Sequence, residues 1–427
     1  MKKLLLMCGA LLAGVYLYAQ NTTWILAPNY YDSFFGSTPL PIGDYTGAPA
    51  MYAQNIQMDK DGNLLFFIID NKVYDKNGNV IEGTDGSFII DELDSYQRVS
   101  DDIYFDDHVV MNGTNSEIVI IPDKNDCNLF HLFSSGHSKH GSPSNVFAAY
   151  GRLKISYMAN GQLTPSSGFM LHSDGTYVAS MRPMEDIIGV GNFNNGANNH
   201  HRTPSFAVID EGNSYTVFYK NFNRLFRLTI DQNGISYNNY TDFFVGQIVD
   251  QSPDRLELEA IKLPNGNYRI ASFCRAYPSP GIWGVFVCDV TSSGTLVSGS
   301  TKTLEYTYSL FASSTVRNFT GLEFNSTGSR VFVSHLPYNG VNGATLDYWD
   351  ISGTPVKTEI STDAEVGRGQ IETARDGNLY IPRNTRLARI SNINATPSVN
   401  LNAVTIPTYP TSIGYNQTPM RMLQDQI

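Results

Sequence analysis

The stretch Asp61–Ile81, "DGNLLFFIIDNKVYDKNGNVI", indicates the fold because it places short apolar runs between turn signals. Leu64–Ile69 is long enough for one strand and too short for a typical helix. The dipeptide Asn77-Gly78 supplies the positive φ angles that a tight β-hairpin requires. The stretch therefore predicts consecutive short strands joined by tight turns.

Similar phrases return along the chain as "PNGNYRIASF" from Pro264, "STGSRVFVS" from Ser326 and "RDGNLYIP" from Arg375. Their common pattern is an acidic or polar residue, a glycine, a polar residue and then alternating aromatic and aliphatic residues. The glycines are Gly62, Gly212, Gly266, Gly328 and Gly377, and the last four are separated by 54, 62 and 49 residues. "NDCNLFHLFS" (Asn125–Ser134) and "SDGTYVAS" (Ser173–Ser180) fit as two further copies, which gives about seven.

Short runs rich in aromatic and β-branched residues dominate the chain, and windows with helical spacing are scarce. The predicted strands are Leu64–Ile69, Glu117–Ile121, Leu129–Phe133, Phe206–Ile209, Tyr215–Tyr219, Leu225–Ile230, Tyr268–Phe273, Gly284–Val290, Arg330–Ser334 and Leu379–Ile381. A repeat of roughly 40–60 residues that carries three or four short strands is typical of a β-propeller blade. The sequence therefore predicts an all-β protein, a β-propeller of about seven blades of short antiparallel strands.

Other counts and another fold remain open at this stage. The 407 residues that follow residue 20 give about 58 residues per blade for seven blades, and six or eight blades also fit. The alternative fold is a pair of β-sandwich domains, which requires a linker in the middle of the chain, and the sequence contains no such linker. We therefore expect residues 21–427 to form a single propeller domain.

Residues 1–20, "MKKLLLMCGALLAGVYLYAQ", have the features of a secretory signal peptide: two lysines, an apolar core and a small residue at Ala19. No other segment approaches the roughly 18 apolar residues of a membrane span. The formal net charge of −11 becomes −13 when the two lysines are removed. This charge, without a basic cluster, argues against a nucleic-acid partner.

The cysteines leave two alternatives open. Cys8 lies in the apolar signal core without the small-residue context of a lipid-modified cysteine, so we do not expect an acyl anchor. Of the other three, Cys127, Cys274 and Cys288, at most two can pair. Cys274 and Cys288 either form a disulfide or are buried as small apolar residues, and we favour burial.

The order of the phrases resembles a known family. "NTTWILAPNYYDSFFGSTPLP" (21–41), "DKDGNLLFFIIDNKVYDKNGNVI" (59–81), "SEIVIIPDKNDCNLFHLFS" (116–134), "GLEFNSTGSRVFVS" (321–334) and "GRGQIETARDGNLYIPRNTRLARISNINATPSV" (367–399) follow each other in that order. They resemble the β-propeller module of exported Bacteroidetes proteins that are described as gliding-motility-associated or as type IX secretion cargo.

This resemblance implies an exported propeller, and an extracellular or cell-surface location is favoured over the periplasm. It implies no reaction, because members of the family are mostly uncharacterised. Cargo of that route carries a C-terminal sorting domain, and none is recognisable after the last repeat, so the periplasm stays open.

Two acidic features suggest metal or acid–base chemistry. The loops "DKDGN" (Asp59–Asn63) and "DKNGN" (Asp75–Asn79) resemble the start of a calcium loop, but the glycine comes earlier than an EF-hand requires. We expect plain β-turns there, with Ca²⁺ as the alternative. The cluster "DDIYFDDH" (101–108) offers carboxylates for a metal ion or for catalysis, and we favour solvated loops around a short strand.

Histidines and aromatic residues supply the remaining candidates. His131, His137 and His140 lack the spacing of a zinc site. His200, His201 and Arg202 form a polar loop between predicted blades, for which we favour a plain solvated loop and keep an anionic ligand site as the alternative. Loops of this kind carry the binding surface of a propeller. Among the aromatic residues of such a surface we expect Trp283, with Tyr277 and Tyr348.

The sequence contains no Gly-x-Ser-x-Gly elbow and no phosphate-binding Gly-x-x-x-x-Gly-Lys loop. We therefore expect a binding or scaffold module that recognises a protein or glycan at the cell envelope. The alternative is a propeller enzyme, a hydrolase or lyase that acts on glycans or lactones. The sequence does not indicate an oligomeric state.

Overall fold

We describe the fold from a computed structural model, which defines residues 23–27, 29–32, 40–45, 47, 50, 54–59, 61–69, 72–81, 117–137, 146–170, 182–188, 205–221, 224–242, 257–275, 282–307, 319–335, 345–374, 376–383 and 385–406. These ranges contain 27 strands in seven antiparallel sheets. Helical structure within them is limited to α1 (Met184–Ile188) and a 3-10 helix (Val366–Arg368), and neither is long and apolar enough to cross a membrane.

The seven sheets follow each other in chain order, and we number them as blades 1 to 7. Blades 1 and 2 have three described strands each: β1 (Thr23–Leu26), β2 (Asn29–Asp32) and β3 (Leu40–Pro41), then β4 (Gln54–Met58), β5 (Leu64–Ile69) and β6 (Lys72–Asp75). Blade 3 consists of β7 (Glu117–Pro122), β8 (Leu129–His137), β9 (Val146–Lys154), β10 (Gly168–Phe169) and β11 (Arg182–Pro183).

The other four blades have four strands each, and every strand pairs with the next one in the chain. Blade 4 consists of β12 (Ser205–Asp210), β13 (Tyr215–Asn221), β14 (Arg224–Asp231) and β15 (Gly234–Asp242). Blade 5 consists of β16 (Leu258–Lys262), β17 (Tyr268–Arg275), β18 (Ile282–Val290) and β19 (Lys302–Thr307). Blade 6 consists of β20 (Phe319–Phe324), β21 (Arg330–His335), β22 (Leu346–Asp350) and β23 (Val356–Ser361), and blade 7 of β24 (Glu372–Thr373), β25 (Leu379–Pro382), β26 (Arg386–Ser391) and β27 (Ser398–Thr405).

The blades form a closed ring, because the apolar core consists of seven clusters and each cluster lies between two neighbouring blades. From blade 1 to blade 7 the first strands of successive blades contact each other, so these inner strands surround the axis. The protein is therefore a seven-bladed β-propeller, and the prediction of this fold is confirmed. All ten predicted strands are also present, most of them one to four residues longer than predicted.

β5 shows why the run Leu64–Ile69 is apolar throughout. Phe66 and Ile68 pack towards blade 3, whereas Phe67 and Ile69 pack towards blade 1. Successive side chains of a strand point to opposite faces, and here both faces are buried. A blade cannot bury both faces alone, so each blade is stable only between two neighbours.

The ring closes where blade 7 meets blade 1. Trp24 is fully buried there and packs edge-on against Tyr380, with 5.4 Å between the ring centroids. Leu26, Leu387 and Ile406 complete the cluster. In the described residues the two blades meet through side chains, and each keeps its own strands.

The two faces of the disc differ in their connections. One face, which we call the turn face, holds the tight turns that follow the first and third strands of the blades. Glycines in this face have positive φ, for example Gly62 at +82° and Gly266 at +84°, as the repeated sequence pattern predicts. The opposite face, which we call the loop face, holds the other connections; of these, residues 82–116, 243–256, 308–318 and 336–344 lie outside the described residues and 362–371 is described.

Two details of the predicted repeat are wrong. The seven described sheets do not include Ser173–Ser180, which lies between β10 and β11 of blade 3 in the chain and outside the described residues. The remaining blade is blade 1, Thr23–Pro41. Its first turn, at Ala27, lacks the glycine of the repeat. The stretch Asp61–Ile81 consequently belongs to blade 2.

Side chains at the turn face bind the turns of neighbouring blades. Arg269 of blade 5 holds Asp289 through two contacts of 2.7 and 2.9 Å and donates to the Gly328 carbonyl of blade 6 at 2.7 Å. Tyr157 of blade 3 donates to the Leu65 carbonyl of blade 2 at 2.5 Å. Because these groups are hydrogen-bonded to the scaffold, they fix the blades relative to one another.

The alternative left open for Cys274 and Cys288 is settled by strand register. Cys274 lies opposite Gly284 and Cys288 opposite Ile270 in the β17–β18 pair. The two cysteines are therefore four residues apart along the pair, about 14 Å at roughly 3.4 Å per residue. A disulfide requires Cα atoms about 4.4–6.8 Å apart. Cys288 is a free, buried thiol, which agrees with the favoured prediction.

Candidate functional site

The aspartate turns of the turn face are structural. One carboxylate oxygen of Asp59 accepts the backbone N–H groups of Asp61 and Asn63, both at 2.8 Å, and Asp75 binds Asn77 and Asn79 in the same way at 2.9 and 2.8 Å. Burial alone would raise the pKa of Asp59, but the hydrogen bonds from Asn63, Asp61 and Gly62 outweigh it and lower that pKa. These carboxylates close turns, as we expected for both loops.

A buried histidine lies beneath the turn that begins at Asp123. His131 contacts the Tyr150 hydroxyl through Nδ1 at 2.7 Å and the Asp123 carboxylate through Nε2 at 3.1 Å. Burial lowers the pKa of His131 and the charge of Arg152 adds to this effect, while Asp123 opposes it. A neutral ring that donates from Nε2 to Asp123 and accepts at Nδ1 from Tyr150 satisfies every partner. His131 is thus a scaffold residue, and the side chains of its predicted companions His137 and His140 lie outside the described residues.

Buried polar groups also form a layer near the loop face, between blades 4 and 5. Lys220, at the end of β13, is fully buried and donates to the Ser272 hydroxyl at 2.5 Å. Ser272 donates in turn to the Glu257 carbonyl at 2.9 Å. The Glu257 carboxylate accepts the backbone N–H of Leu322 in blade 6. One polar chain therefore links three blades.

A second part of this layer links blades 6 and 7. Ser334 donates to the Gly369 carbonyl at 2.6 Å, and Thr320 donates to the Gly367 carbonyl at 2.8 Å. A Cβ atom on Gly367 would lie 2.2 Å from the His335 carbonyl oxygen, so only glycine fits this approach. The phrase "GRGQ" of the sequence is therefore explained by the close packing of the connection 362–371 on blade 6.

A buried histidine–carboxylate pair lies beside this connection. His335 Nε2 is 2.7 Å from Asp347 Oδ2, and Lys357 Nζ is 3.1 Å from the same oxygen. The Asp347 side chain is fully buried, and burying a carboxylate without such partners is costly. The three residues lie on neighbouring strands of blade 6 and hold the loop-face end of that blade together.

Some buried polar atoms near the loop face, Asp347 Oδ1 among them, have no hydrogen-bond partner among the described residues. Ser205 begins the inner strand β12 of blade 4 and is fully buried, and Gln370 lies two residues before β24 of blade 7 and is 6% exposed. Ser205 Oγ and Gln370 Oε1 have no hydrogen-bond partner among the described residues. A buried polar group without a partner costs about 1–3 kcal/mol. Sequence reasoning missed both, because only the ring places them near the axis.

The predicted ligand loop is not among the described residues. His200, His201 and Arg202 lie outside the described residues, as do the acidic cluster 101–108 and Tyr277. Trp283 is in β18 with its backbone opposite Arg275 and Tyr306, and its side chain lies outside what is described. These residues stay predictions.

Tyr348 is in a different position from the one we expected. It lies in β22, and its ring packs 5.6 Å from that of Phe332 and beneath the Arg330 guanidinium at 4.8 Å. Tyr348 therefore packs within the scaffold. Within the described ranges, no group of three or more His, Cys, Asp or Glu side chains is arranged to hold a metal ion.

Several solved structures are similar to this chain. A Dyadobacter fermentans protein of unknown function aligns over 70% of this chain and 85% of its own, with 10% identity and a TM-score of 0.37. Bacteroides ovatus xyloglucan PUL GH43B aligns over 72% and 59%, with 12% identity and a TM-score of 0.36. The gluconolactonase XC5397 from Xanthomonas campestris aligns over 48% and 76%, with 12% identity and a TM-score of 0.29.

No protein-family model and no curated protein matches the chain. The structural similarities are too low to carry an argument about activity. The propeller fold accordingly rests on the sheet order and on the ring of core clusters, and membership of the exported Bacteroidetes family stays a prediction.

Proposed function

We propose that this chain is an exported propeller that binds a protein or glycan at the cell envelope through its loop face. Export is supported by residues 1–20, with Lys2 and Lys3 before an apolar core. An extracellular or cell-surface location follows from the resemblance to exported propeller modules.

The difference between the two faces carries the proposal. The turn face is made of tight turns whose polar groups bond to each other and to neighbouring blades, as Asp59, Asp75 and Arg269 do. Most connections of more than ten residues belong to the loop face, although 155–167 and 291–301 lie on the turn face. Long connections held on a rigid scaffold are where binding residues concentrate. A ligand that binds this protein therefore meets the loop face.

Two of the described carboxylates at the inner strands bond to the scaffold, which favours binding over hydrolysis, while Glu259 and Glu372 also lie on these strands. A glycoside hydrolase needs two carboxyl groups that face one cleft. Glu257 accepts the N–H of Leu322, and Glu323 accepts the N–H of Thr373 at 3.2 Å, so each joins its blade to the next. We assign both a scaffold role and keep the enzyme reading as the alternative.

Orientation on a sensor surface tests the proposal. Cys127 is exposed in the turn that follows β7, so a maleimide surface that captures Cys127 leaves the loop face accessible. The matched control is Cys127→Ser combined with Ala364→Cys, which is tethered through an exposed residue of the loop face. The mature chain, 21–427, is screened in both orientations against soluble polysaccharides and envelope proteins.

We expect at least one ligand to bind the chain tethered at Cys127. The binding signal of that ligand on the sensor should fall at least ten-fold when the chain is tethered at residue 364. Equal binding in the two orientations contradicts the proposal, because the ligand then does not need the loop face. Binding that is lost only with the Cys127 tether, or no binding in either orientation, also contradicts it.

A further inference from the structure

Eight Asn-Gly dipeptides occur along the chain, and four of them lie in described turns of the turn face. These four are Asn77-Gly78, Asn160-Gly161, Asn233-Gly234 and Asn265-Gly266. Asparagine before glycine is chemically labile, because glycine has no side chain to shield its backbone nitrogen from the neighbouring carboxamide. All four glycines have a positive φ. The turns therefore share this feature of their backbone, and their surroundings can be compared.

An aspartate lies two places before the asparagine in the first two of these turns, those of Asn77 and Asn233. The Asn77 N–H donates to the Asp75 carboxylate at 2.9 Å, and the Asn233 N–H donates to the Asp231 carboxylate at 2.7 Å. A negative charge is thus held next to the backbone of each asparagine.

The turns of Asn160 and Asn265 have the opposite arrangement. The residues two places before these asparagines are apolar, Met158 and Leu263. Asn160 Oδ1 accepts the N–H of Gln162 at 3.1 Å, and Asn265 Oδ1 accepts the N–H of Asn267 at 3.0 Å. In these two turns a backbone donor, and no carboxylate from that position, lies against the side-chain carboxamide.

This difference affects the first step of deamidation. In that step the glycine nitrogen loses its proton to hydroxide and bonds to the asparagine Cγ, which places negative charge on Oδ1. A backbone N–H that already donates to Oδ1 stabilises the developing charge. A nearby carboxylate destabilises both the nitrogen anion and the charged oxygen, because like charges repel. The carboxamides of Asn160 and Asn265 are therefore the more reactive ones.

A second requirement is that the turn opens, because the attacking nitrogen is hydrogen-bonded. The Gly161 N–H donates to the Met158 carbonyl and the Gly266 N–H to the Leu263 carbonyl, both at 2.9–2.8 Å or slightly longer as tight turns require. Local opening costs least where few neighbours hold the segment. A Cβ atom on Gly161 or Gly266 would meet nothing within 4 Å, and the asparagine before each glycine is exposed.

The turn of Asn77 is held more firmly. The Asn77 carbonyl accepts the Asp44 N–H at 2.9 Å, and a Cβ atom on Gly78 would lie 2.6 Å from the Tyr45 nitrogen. Opening this turn would disrupt its contact with the connection between blades 1 and 2. A Cβ atom on Gly234, in contrast, would meet nothing within 4 Å, so the nearby carboxylate is the feature that protects Asn233.

We propose that Asn160 and Asn265 are sites of spontaneous deamidation in the folded protein, whereas Asn77 and Asn233 keep their amides. The glycine nitrogen replaces Nδ2 at Cγ, Nδ2 takes up a proton and leaves as ammonia, and water opens the resulting succinimide to aspartate or isoaspartate. Aspartate fits such a turn, since Gly62 after Asp61 also has a positive φ. Each event adds a negative charge to the turn face, and the inference does not depend on the ligand proposed for the loop face.

The test compares the folded with the unfolded chain. The mature chain, 21–427, is incubated at mildly alkaline pH in heavy-oxygen water, once native and once in urea. Peptide mass spectrometry follows the loss of each amide, and the heavy oxygen separates deamidation during incubation from deamidation during digestion. The rates in urea report the intrinsic reactivity of each dipeptide, so the ratio of the native rate to the urea rate measures the effect of the fold.

We expect this ratio to be about ten-fold or more higher at Asn160 and Asn265 than at Asn77 and Asn233. Equal ratios at the four sites would overturn the proposal, and so would a higher ratio at Asn77 or Asn233. The proposal also fails if the native protein keeps the amides of Asn160 and Asn265 for as long as the unfolded chain takes to lose them.

Exchanging the residue two places before the asparagine tests the cause. Met158→Asp, at an exposed position, should slow deamidation of Asn160 several-fold, and Asp231→Met should accelerate that of Asn233. Asn265 is the internal control, because an unchanged rate there shows that the variant keeps its fold. An unchanged rate at Asn160 in Met158→Asp, with Asn265 reacting as in the wild type, would contradict the proposal.

Discussion

At the scale of single residues, His131 illustrates how this scaffold uses polar side chains. Its buried ring is a donor to Asp123 and an acceptor from Tyr150 only while it is neutral. Protonation would remove the acceptor and place a charge in a buried position. The folded protein consequently resists protonation, in agreement with the lowered pKa of His131.

The pKa of His131 predicts a pH dependence of stability. The unfolded chain binds a proton at this residue below about pH 6.5, whereas the folded chain does so only at lower pH. The free energy of unfolding should therefore fall as the pH drops below about 6.5, until the folded pKa is reached. His131→Gln keeps one donor and one acceptor but does not titrate. We expect the free energy of unfolding, measured with urea, to fall less between about pH 7.5 and about pH 5.5 in His131→Gln than in the wild type. An equal fall in both proteins would mean that His131 does not control stability in this pH range.

At the scale of elements, strand register explains what the local pattern left open. Alternation and glycine turns identify individual strands, because both are local properties of the chain. They do not show which residues face each other across two strands. Cys274 and Cys288 each end an apolar run, yet register places them four positions apart.

The register predicts the thiol chemistry of the chain. We expect alkylation in denaturant without reductant to label Cys288, and alkylation of the native protein to label exposed Cys127 but not buried Cys288. Burial also raises the pKa of the Cys288 thiol, which disfavours the reactive thiolate. Peptide mass spectrometry of both samples checks this. A peptide linking Cys274 to Cys288 before reduction would contradict the register.

The same distinction between local and long-range features determines how much of the molecule could be predicted. Ten strands and the class of fold followed from the pattern, but blade 1 did not, because its first turn lacks the repeated glycine. The polar layer of Lys220, Ser272 and Gln370 was also missed. These residues are far apart in the chain and come together only when blades stack, so no local signal marks them.

At the scale of the whole molecule, ring closure is the property that no single blade possesses. The contact between Trp24 and Tyr380 joins the first blade to the last. In the described residues this seam is held by packed side chains, with no strand shared between the two blades. Its stability should therefore depend strongly on the aromatic pair.

Trp24→Ala should lower the free energy of unfolding by about 3–5 kcal/mol, because it leaves a large cavity at the seam. Trp349 is a partly buried residue of β22, and Trp349→Phe is the control. It should lower the free energy of unfolding clearly less than Trp24→Ala does. Urea unfolding followed by circular dichroism measures both, and size-exclusion chromatography reports whether the ring expands. A loss in Trp24→Ala no larger than that in Trp349→Phe would mean that the aromatic pair does not close the ring.

The unequal faces of the disc also determine where the protein tolerates change. A turn such as the one at Gly266 requires a residue that accepts positive φ, so most substitutions there reduce stability whatever ligand is bound. Long surface loops, in contrast, accept insertions at little thermodynamic cost. The loop face that we propose for binding can therefore diversify without rebuilding the scaffold, and laboratory diversification should be confined to it.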